Sequence, residues 1–360
     1  MTHVLAIDQG TSGTKAIVVD DAGRVLSIAE TGLRPSYLPG GGVEQDPEAL
    51  WTSVVDAGRR AIDEAGVPIA AVALANQGET VLAWDRSTGR PLTAALVWQD
   101  RRAEGICAAL SASAEDVAQR TGLVLDPYFS APKMVWLRAN LTRDGVVTTT
   151  DTWLVHRLCG AFVTDVSTAS RSLLLDLNTT AWSPHLLELF GLSDEPMPEV
   201  VGCDQIIGET TAFGRSLIPV AGLIVDQQAA LLAESCLDPG AAKCTFGTGA
   251  FLLAQLGDNP ARSAAGLTTS VAWTLRGRTC YCADGQVYTA ASAVRWAVDL
   301  GLIPAAEQLD AVSASDSAGV LCVPALAGLA APWWDANASA SFTGMTLSSG
   351  RGHLVRALLE

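Results

Sequence analysis

Two short β-branched runs, Val4-Leu5-Ala6-Ile7 and Ala16-Ile17-Val18-Val19, enclose the stretch Asp8-Gln9-Gly10-Thr11-Ser12-Gly13-Thr14-Lys15. The runs read as strands and the polar, Gly-rich stretch as the turn between them. Such a turn lets backbone N–H groups approach an anion closely, and the Thr and Ser hydroxyls add donors. Lys15 offsets phosphate charge as a point cation. Asp8 is repelled by phosphate unless a divalent cation stands between them. The combination points to a magnesium–nucleotide site, with a plain hairpin and polar turn as the competing reading. The spacing is not that of a Walker A loop, and the turn does not open a helix as a dinucleotide-binding loop does.

The design recurs. Cys244-Thr245-Phe246-Gly247-Thr248-Gly249-Ala250-Phe251-Leu252-Leu253 is again strand, Gly-Thr-Gly turn and strand. Two hairpins of one design, far apart in the chain, predict two related domains facing one nucleotide. Just upstream of the second, Leu223-Ile224-Val225 leads into Asp226-Gln227-Gln228-Ala229-Ala230-Leu231. A buried strand ending in a carboxylate where a helix begins is a common place for a catalytic group in an open α/β sheet. Asp is also a good helix N-cap, and the two roles are compatible.

At 360 residues the chain has room for two or more domains and a sizeable core. Hydrophobic residues make up 49% and charged residues 17%, which is a globular composition and not a disordered one. The net charge of −15 argues against nucleic acid as a partner. No uninterrupted apolar run reaches the ~18 residues that span a bilayer. Met1-Thr2-His3 passes straight into a strand without a charged leader or cleavage site, so a cytoplasmic chain with no membrane partner is expected. The eight cysteines form no paired CxxC set and the four histidines do not cluster. That argues against zinc, a histidine metal site and a Ser-His-Asp triad, and the thiols read as reduced core residues.

Along the chain, the first thirty residues read as three strands, with Asp20-Asp21-Ala22-Gly23 as the second turn. Residues 38–47 read as a loop ending at a helix start, and Glu48 to Ala65 as a helix with apolar Leu50, Val54, Val55 and Ala61. Strands are expected at Ala70–Leu74, Val81–Trp84 and Ile218–Val225, with mainly helix from about 100 to 160. The turn signal Cys236-Leu237-Asp238-Pro239-Gly240 sets the domain boundary, giving domains 1–236 and 237–360. Beyond it, strands are expected near Thr268–Trp273 and Val320–Pro324, and a helix from about Tyr288 to Leu300. The fold class is therefore α/β, repeated.

These residues resemble the FGGY carbohydrate kinase family. The matching segments run in family order: Asp8-Gln9-Gly10-Thr11, Val43-Glu44-Gln45-Asp46-Pro47, Asn76-Gln77-Gly78-Glu79-Thr80 and Val97-Trp98-Gln99-Asp100-Arg101-Arg102. They continue with Leu125-Asp126-Pro127-Tyr128-Phe129-Ser130, Asp226-Gln227-Gln228-Ala229-Ala230, Phe246-Gly247-Thr248-Gly249 and Ala330-Ala331-Pro332-Trp333-Trp334-Asp335. The resemblance implies two actin-like (RNase H-like) domains with an interdomain cleft, and transfer of phosphate from ATP to a polyol or sugar. By the same resemblance Thr11, Ser12, Gly13 and Lys15 meet nucleotide phosphates from the first domain, and Gly247, Thr248 and Gly249 from the second. Asp8 and Asp226 would lie around Mg²⁺. Gly78, Glu79, Tyr128, Asp226 and Gln227 would line the polyol, with Trp98 and Phe251 against its carbon face. Asp226 would take the proton of the attacking hydroxyl. Self-association into a homo-oligomer stays open.

Three departures from the family pattern carry expectations. Gly78 stands where glycerol-type members place an Arg that binds substrate hydroxyls. Losing a charged donor costs roughly 1.5–3 kcal/mol, one to two decades of affinity, so a substrate other than glycerol is expected, a longer polyol or sugar. On the helix that aligns with Ala290–Trp296, Ala291 and Arg295 occupy positions where a Gly and a Gln meet the nucleotide, leaving Arg295 to pair with phosphate or stack on a base. The family pattern also continues past Glu360 into a further Gly-rich nucleotide turn, so the second domain is expected to be truncated. The rival reading that follows is an inactive fragment that at most binds substrate or a partner chain. An actin- or chaperone-like ATPase would share the hairpins but would have no use for Glu79, Trp98 and Tyr128 together.

Overall fold

The alternation of apolar residues in the first thirty positions resolves into β1 (His3–Gln9), β2 (Gly13–Asp20) and β3 (Val25–Gly32), three antiparallel strands in a meander. The structure is a computed structural model that describes residues 2–335 and 337–360. Two compact units make up the chain, 1–240 with 255–262 and 269–282, and 241–254 with 263–268 and 283–360.

In the first unit β4 (Ala71–Asn76) joins β1 in parallel, β5 (Gly208–Thr210) and β6 (Ile218–Val225) follow, and the sheet order is β5-β6-β4-β1-β2-β3. Helix α1 (Pro47–Ala65) covers one face. Asp46 caps it by accepting the Glu48 N–H, Pro47 occupies its first turn, and Gly66 closes it in the left-handed conformation. Leu50, Val54, Ala57 and Ala61 pack with Leu5, Ile7, Ala16, Val18 and Leu74 in one core.

Two expectations change. Residues 38–47 are not loop throughout: Pro39–Gly41 make one helical turn, and Gly42–Gln45 form a strand paired with Ser36–Leu38 and Ala95–Leu96. Local composition argues for a turn there, but partner strands supply the hydrogen bonds, and Asp100 accepts the Val43 N–H at 2.8 Å. The helical stretch from 100 to 160 includes α2 (Ser130–Asn140) and is broken by a strand, Val146–Thr149, paired with Val81–Asp85. Helix α3 (Val166–Ala169) is one turn, and α4 (Asp226–Ala233) leaves directly from β6.

The second unit holds the other hairpin, β7 (Ala242–Phe246) and β8 (Ala250–Gly257), paired from Ala242↔Ala254 to Phe246↔Ala250. Its helix α5 (Ala291–Asp299) contributes Ala297 to a small core shared with Ile303 and with Val355 of α6 (Arg351–Leu359). All eight cysteines are free thiols; four are buried, three partly so, and Cys244 is exposed. Among the described residues no helix is long and apolar enough to cross a membrane.

Candidate active site

Strand register brings the expected residues of the first unit to one edge. Gln9 of β1 pairs with Asn76 of β4, and Asn76 with Val225 of β6. The loops that follow therefore leave the sheet side by side at the carboxyl ends of three parallel strands, where open α/β sheets bind ligands. Gln77 N–H donates to the Gln9 carbonyl at 2.8 Å, tying two of these loops together.

Asp8, Lys15 and Asp226 line one recess of about 490 Å³ with apolar walls. The Asp8 side chain reaches solvent at the rim, yet the protein around it pushes its carboxyl above the ordinary value, and facing Lys15 partly offsets this. Lys15 is half-exposed and pairs with Glu30 at 2.9 Å, which raises its ammonium. Gly13 is needed where it stands: a Cβ would sit 2.8 Å from the Thr31 carbonyl oxygen. Ser12 is exposed at the turn. Asp226 opens α4, and its Oδ1 accepts the Gln227 N–H at 2.6 Å.

Beside this recess stands a buried polar and aromatic wall. Glu79 has a left-handed φ of 56°, a strained conformation of the kind held at functional sites. Its carboxylate is 4% exposed, and a buried charge needs a partner. Arg171, 3% exposed, donates Nε to Glu79 Oε1 at 2.6 Å. The same guanidinium donates to the Tyr128 hydroxyl at 3.4 Å and lies 5.6 Å from the Tyr128 ring centre. Trp98 meets Tyr128 edge to face at 5.7 Å. Trp98 Nε1 donates to Thr11 Oγ1, and Thr11 donates onward to Gln77 Oε1, both at 2.9 Å. The Thr11 hydroxyl thus links the first hairpin to the aromatic wall.

Lys133 of α2 fixes the segment that carries Tyr128. Its ammonium is fully buried and donates to the carbonyls of Pro127, Tyr128 and Phe129 at 2.8, 2.5 and 2.7 Å. Burial pulls its pKa down to about 8 against the opposing pull of Glu79, Asp100 and Asp126. Asp165 does comparable work below Asp226. It caps α3 by accepting from Ser167 and Thr168 N–H, and Ser167 Oγ accepts the Val225 N–H at 3.0 Å. Burial raises the Asp165 carboxyl, and the hydroxyl and amide donors around it oppose that rise.

In the second unit Gly247, Thr248 and Gly249 form the turn of the β7–β8 hairpin. The Gly247 and Thr248 carbonyls accept N–H groups from Ala290, Ala291 and Ser292, seating the turn on the start of α5. A Cβ on Gly249 would lie 2.5 Å from the Val287 carbonyl oxygen. Phe251 is buried on β8, and Arg295 is exposed on α5.

Sequence reading passed over Arg171, Lys133 and Asp165. The available signal was a lone charge in an uncharged run: Arg171 is the single ionisable residue between Val166 and Leu175, and such residues are rarely buried unless paired. Position 78 lacks an arginine, and the buried Glu79 finds a charged partner in Arg171, from another segment. A Cβ on Gly78 would sit 2.9 Å from Val225 Cγ2.

An antiparallel β3-β2-β1 meander continued by parallel β4 and β6 defines a ribonuclease H-like fold, here that of a two-domain kinase. Models for the N-terminal and C-terminal domains of the FGGY family of carbohydrate kinases match residues 3–233 and 242–360. A glycerol kinase from Rhodospirillum centenum is 43% identical over 99% of this chain and 76% of its own length. The crystal structure of Plasmodium falciparum glycerol kinase with ADP is 34% identical, with a TM-score of 0.87 over 100% of this chain and 76% of that one. A ligand-bound xylulose kinase from Lactobacillus acidophilus shares the fold, with a TM-score of 0.87 at 21% identity and coverage of 100% and 76%. The chain belongs to the FGGY family of carbohydrate kinases and is a carbohydrate or polyol kinase. Glycerol kinases among these relatives leave the expectation of a non-glycerol substrate unsupported. The expectation of a truncated second domain gains no support either, with the C-terminal model matched across 242–360.

Proposed function

We propose that this chain transfers the γ-phosphoryl group of ATP to a hydroxyl of glycerol. The observation that carries the reading is the buried Glu79–Arg171–Tyr128–Trp98 wall beside the carboxylate of Asp226, together with a glycerol kinase 43% identical over nearly the whole chain. Glu79 accepts from a substrate hydroxyl, and charge-assisted bonds of this kind fix orientation well. Trp98 and Tyr128 cover the carbon face. Asp226 takes the hydroxyl proton as the oxygen bonds to the γ-phosphorus and the bond to the β–γ bridging oxygen breaks, releasing ADP.

The N–H groups of the Thr11–Lys15 turn and the ammonium of Lys15 cradle phosphate charge from the first unit. Gly247, Thr248 and Gly249 do so from the second, with Arg295 exposed on α5 for the remaining nucleotide contact. Mg²⁺ suits the donor set: Asp8 and Asp226 offer hard carboxylate oxygens to one recess, and Mg²⁺ commonly takes one or two carboxylates with phosphate and water. Bound there, Mg²⁺ would neutralise phosphate charge. Phe251 on β8 and Gln227 after Asp226 complete the polyol set.

ADP release from Mg-ATP, measured with glycerol, erythritol, pentitols, ribulose and xylulose, tests the reading. Highest kcat/KM on glycerol is the expected result. Preference for a pentitol or ketose would move the substrate assignment, and silence across the panel from folded protein would favour the inactive-fragment reading.

A further inference from the structure

We infer that Arg171 is the residue that positions the polyol-binding wall. The inference rests on the kinase reading above and names a specificity determinant within it. Three observations converge on this residue. Its guanidinium is 3% exposed and bonds at 2.6 Å to the buried Glu79 carboxylate. It also reaches the Tyr128 hydroxyl at 3.4 Å, so one rigid fork spans two residues of the wall that come from distant parts of the chain. The loop at 78 has closed around glycine: an added Cβ would meet Val225 Cγ2 at 2.9 Å, next to Asp226. A side chain at 78 would therefore have to displace the Val225 side chain.

The segment holding Arg171 is built to keep it still. Arg171 N–H donates to the Thr168 carbonyl at 3.0 Å, and Ser172 N–H donates to that of Ala169 at 3.1 Å. The Ser172 carbonyl accepts the Ala131 N–H at 2.9 Å, joining this segment to α2. On α2, Lys133 in turn holds the Tyr128 backbone. Phe129 lies beneath the guanidinium, 5.2 Å from its carbon to the ring centre. Arg171 thereby fixes the rotation of the Glu79 carboxylate, while tying the Tyr128 ring to the same point. It acts through Glu79 and Tyr128, the two wall residues its guanidinium reaches.

The test compares wild type with Arg171→Met and Arg171→Lys, reading KM for the polyol, KM for ATP, kcat and melting temperature, with calorimetric polyol binding alongside. Arg171→Met is expected to raise polyol KM and Kd by about 10- to 100-fold while leaving ATP KM within about twofold. Arg171→Lys keeps the charge beside Glu79 but loses the fork, and is expected to recover part of that loss. Polyol KM within twofold of wild type in both variants overturns the assignment, and so does an equal rise in polyol and ATP KM. Should Arg171→Met fail to fold, Arg171→Lys alone decides on the same polyol-against-ATP split. Wild type that neither binds nor phosphorylates any polyol brings down the kinase reading itself, a result distinct from failure of Arg171 alone.

Discussion

At Lys133 the balance between burial and charge can be followed with one titration. The folded chain holds this ammonium near a pKa of about 8, against 10.5 for an ordinary lysine. Its folded pKa is depressed, so the folded state binds fewer protons than the unfolded chain between those values. Stability should therefore rise with pH across that window, by roughly 3 kcal/mol for this group when fully titrated. Urea unfolding at pH 7.5 and pH 10 should show that gain in wild type and lose most of it in Lys133→Met. An equal pH dependence in both proteins would mean that the lysine is not held as charged and desolvated. The same substitution frees the three carbonyls of Pro127, Tyr128 and Phe129, so polyol KM should rise with it.

Two glycines show how elements depend on close approach. On α1, a Cβ at Gly58 would sit 2.5 Å from the Phe213 ring, in the middle of the first unit's core. Gly58→Ala should destabilise by about 1–3 kcal/mol, since a ring in a packed core cannot swing aside as a flexible tip would; a rise in melting temperature would contradict the packing described. On the second hairpin, Gly249→Ala meets the Val287 carbonyl oxygen at 2.5 Å. It should raise KM for ATP about tenfold or more with little change in polyol KM, because the distortion stays in the turn. Element by element, the sequence was most legible where local signals agree. β1, β2, α1 and β6 were readable from period, caps and turns, and Asp226 from the strand-to-helix junction. Gly42–Gln45 was not, because its strand exists through partners distant in the chain. Val146–Thr149, a Val-Val-Thr-Thr run, was legible in principle but was absorbed into a longer helical reading.

Over the whole molecule, the repeated hairpin and the ordered motifs were enough to reach the kinase family, while the substrate argument, read from one position alone, found no support among the relatives. Gly78 was taken as a lost cation; the charged partner of neighbouring Glu79 is Arg171, 93 positions after Gly78 and connected to it by no local pattern. Long-range ion pairs of this kind are decided by topology, and a single sequence holds no trace of which charges will meet. The account as a whole rests on Asp226 as the base that deprotonates a polyol hydroxyl at the sheet edge. Single-turnover transfer of the γ-phosphoryl group of ATP to glycerol, in wild type and in Asp226→Asn, tests that claim most directly. The account predicts that glycerol binding survives within about tenfold in the variant while the transfer rate falls by about 10²–10⁴. Transfer at an undiminished rate in Asp226→Asn would contradict it.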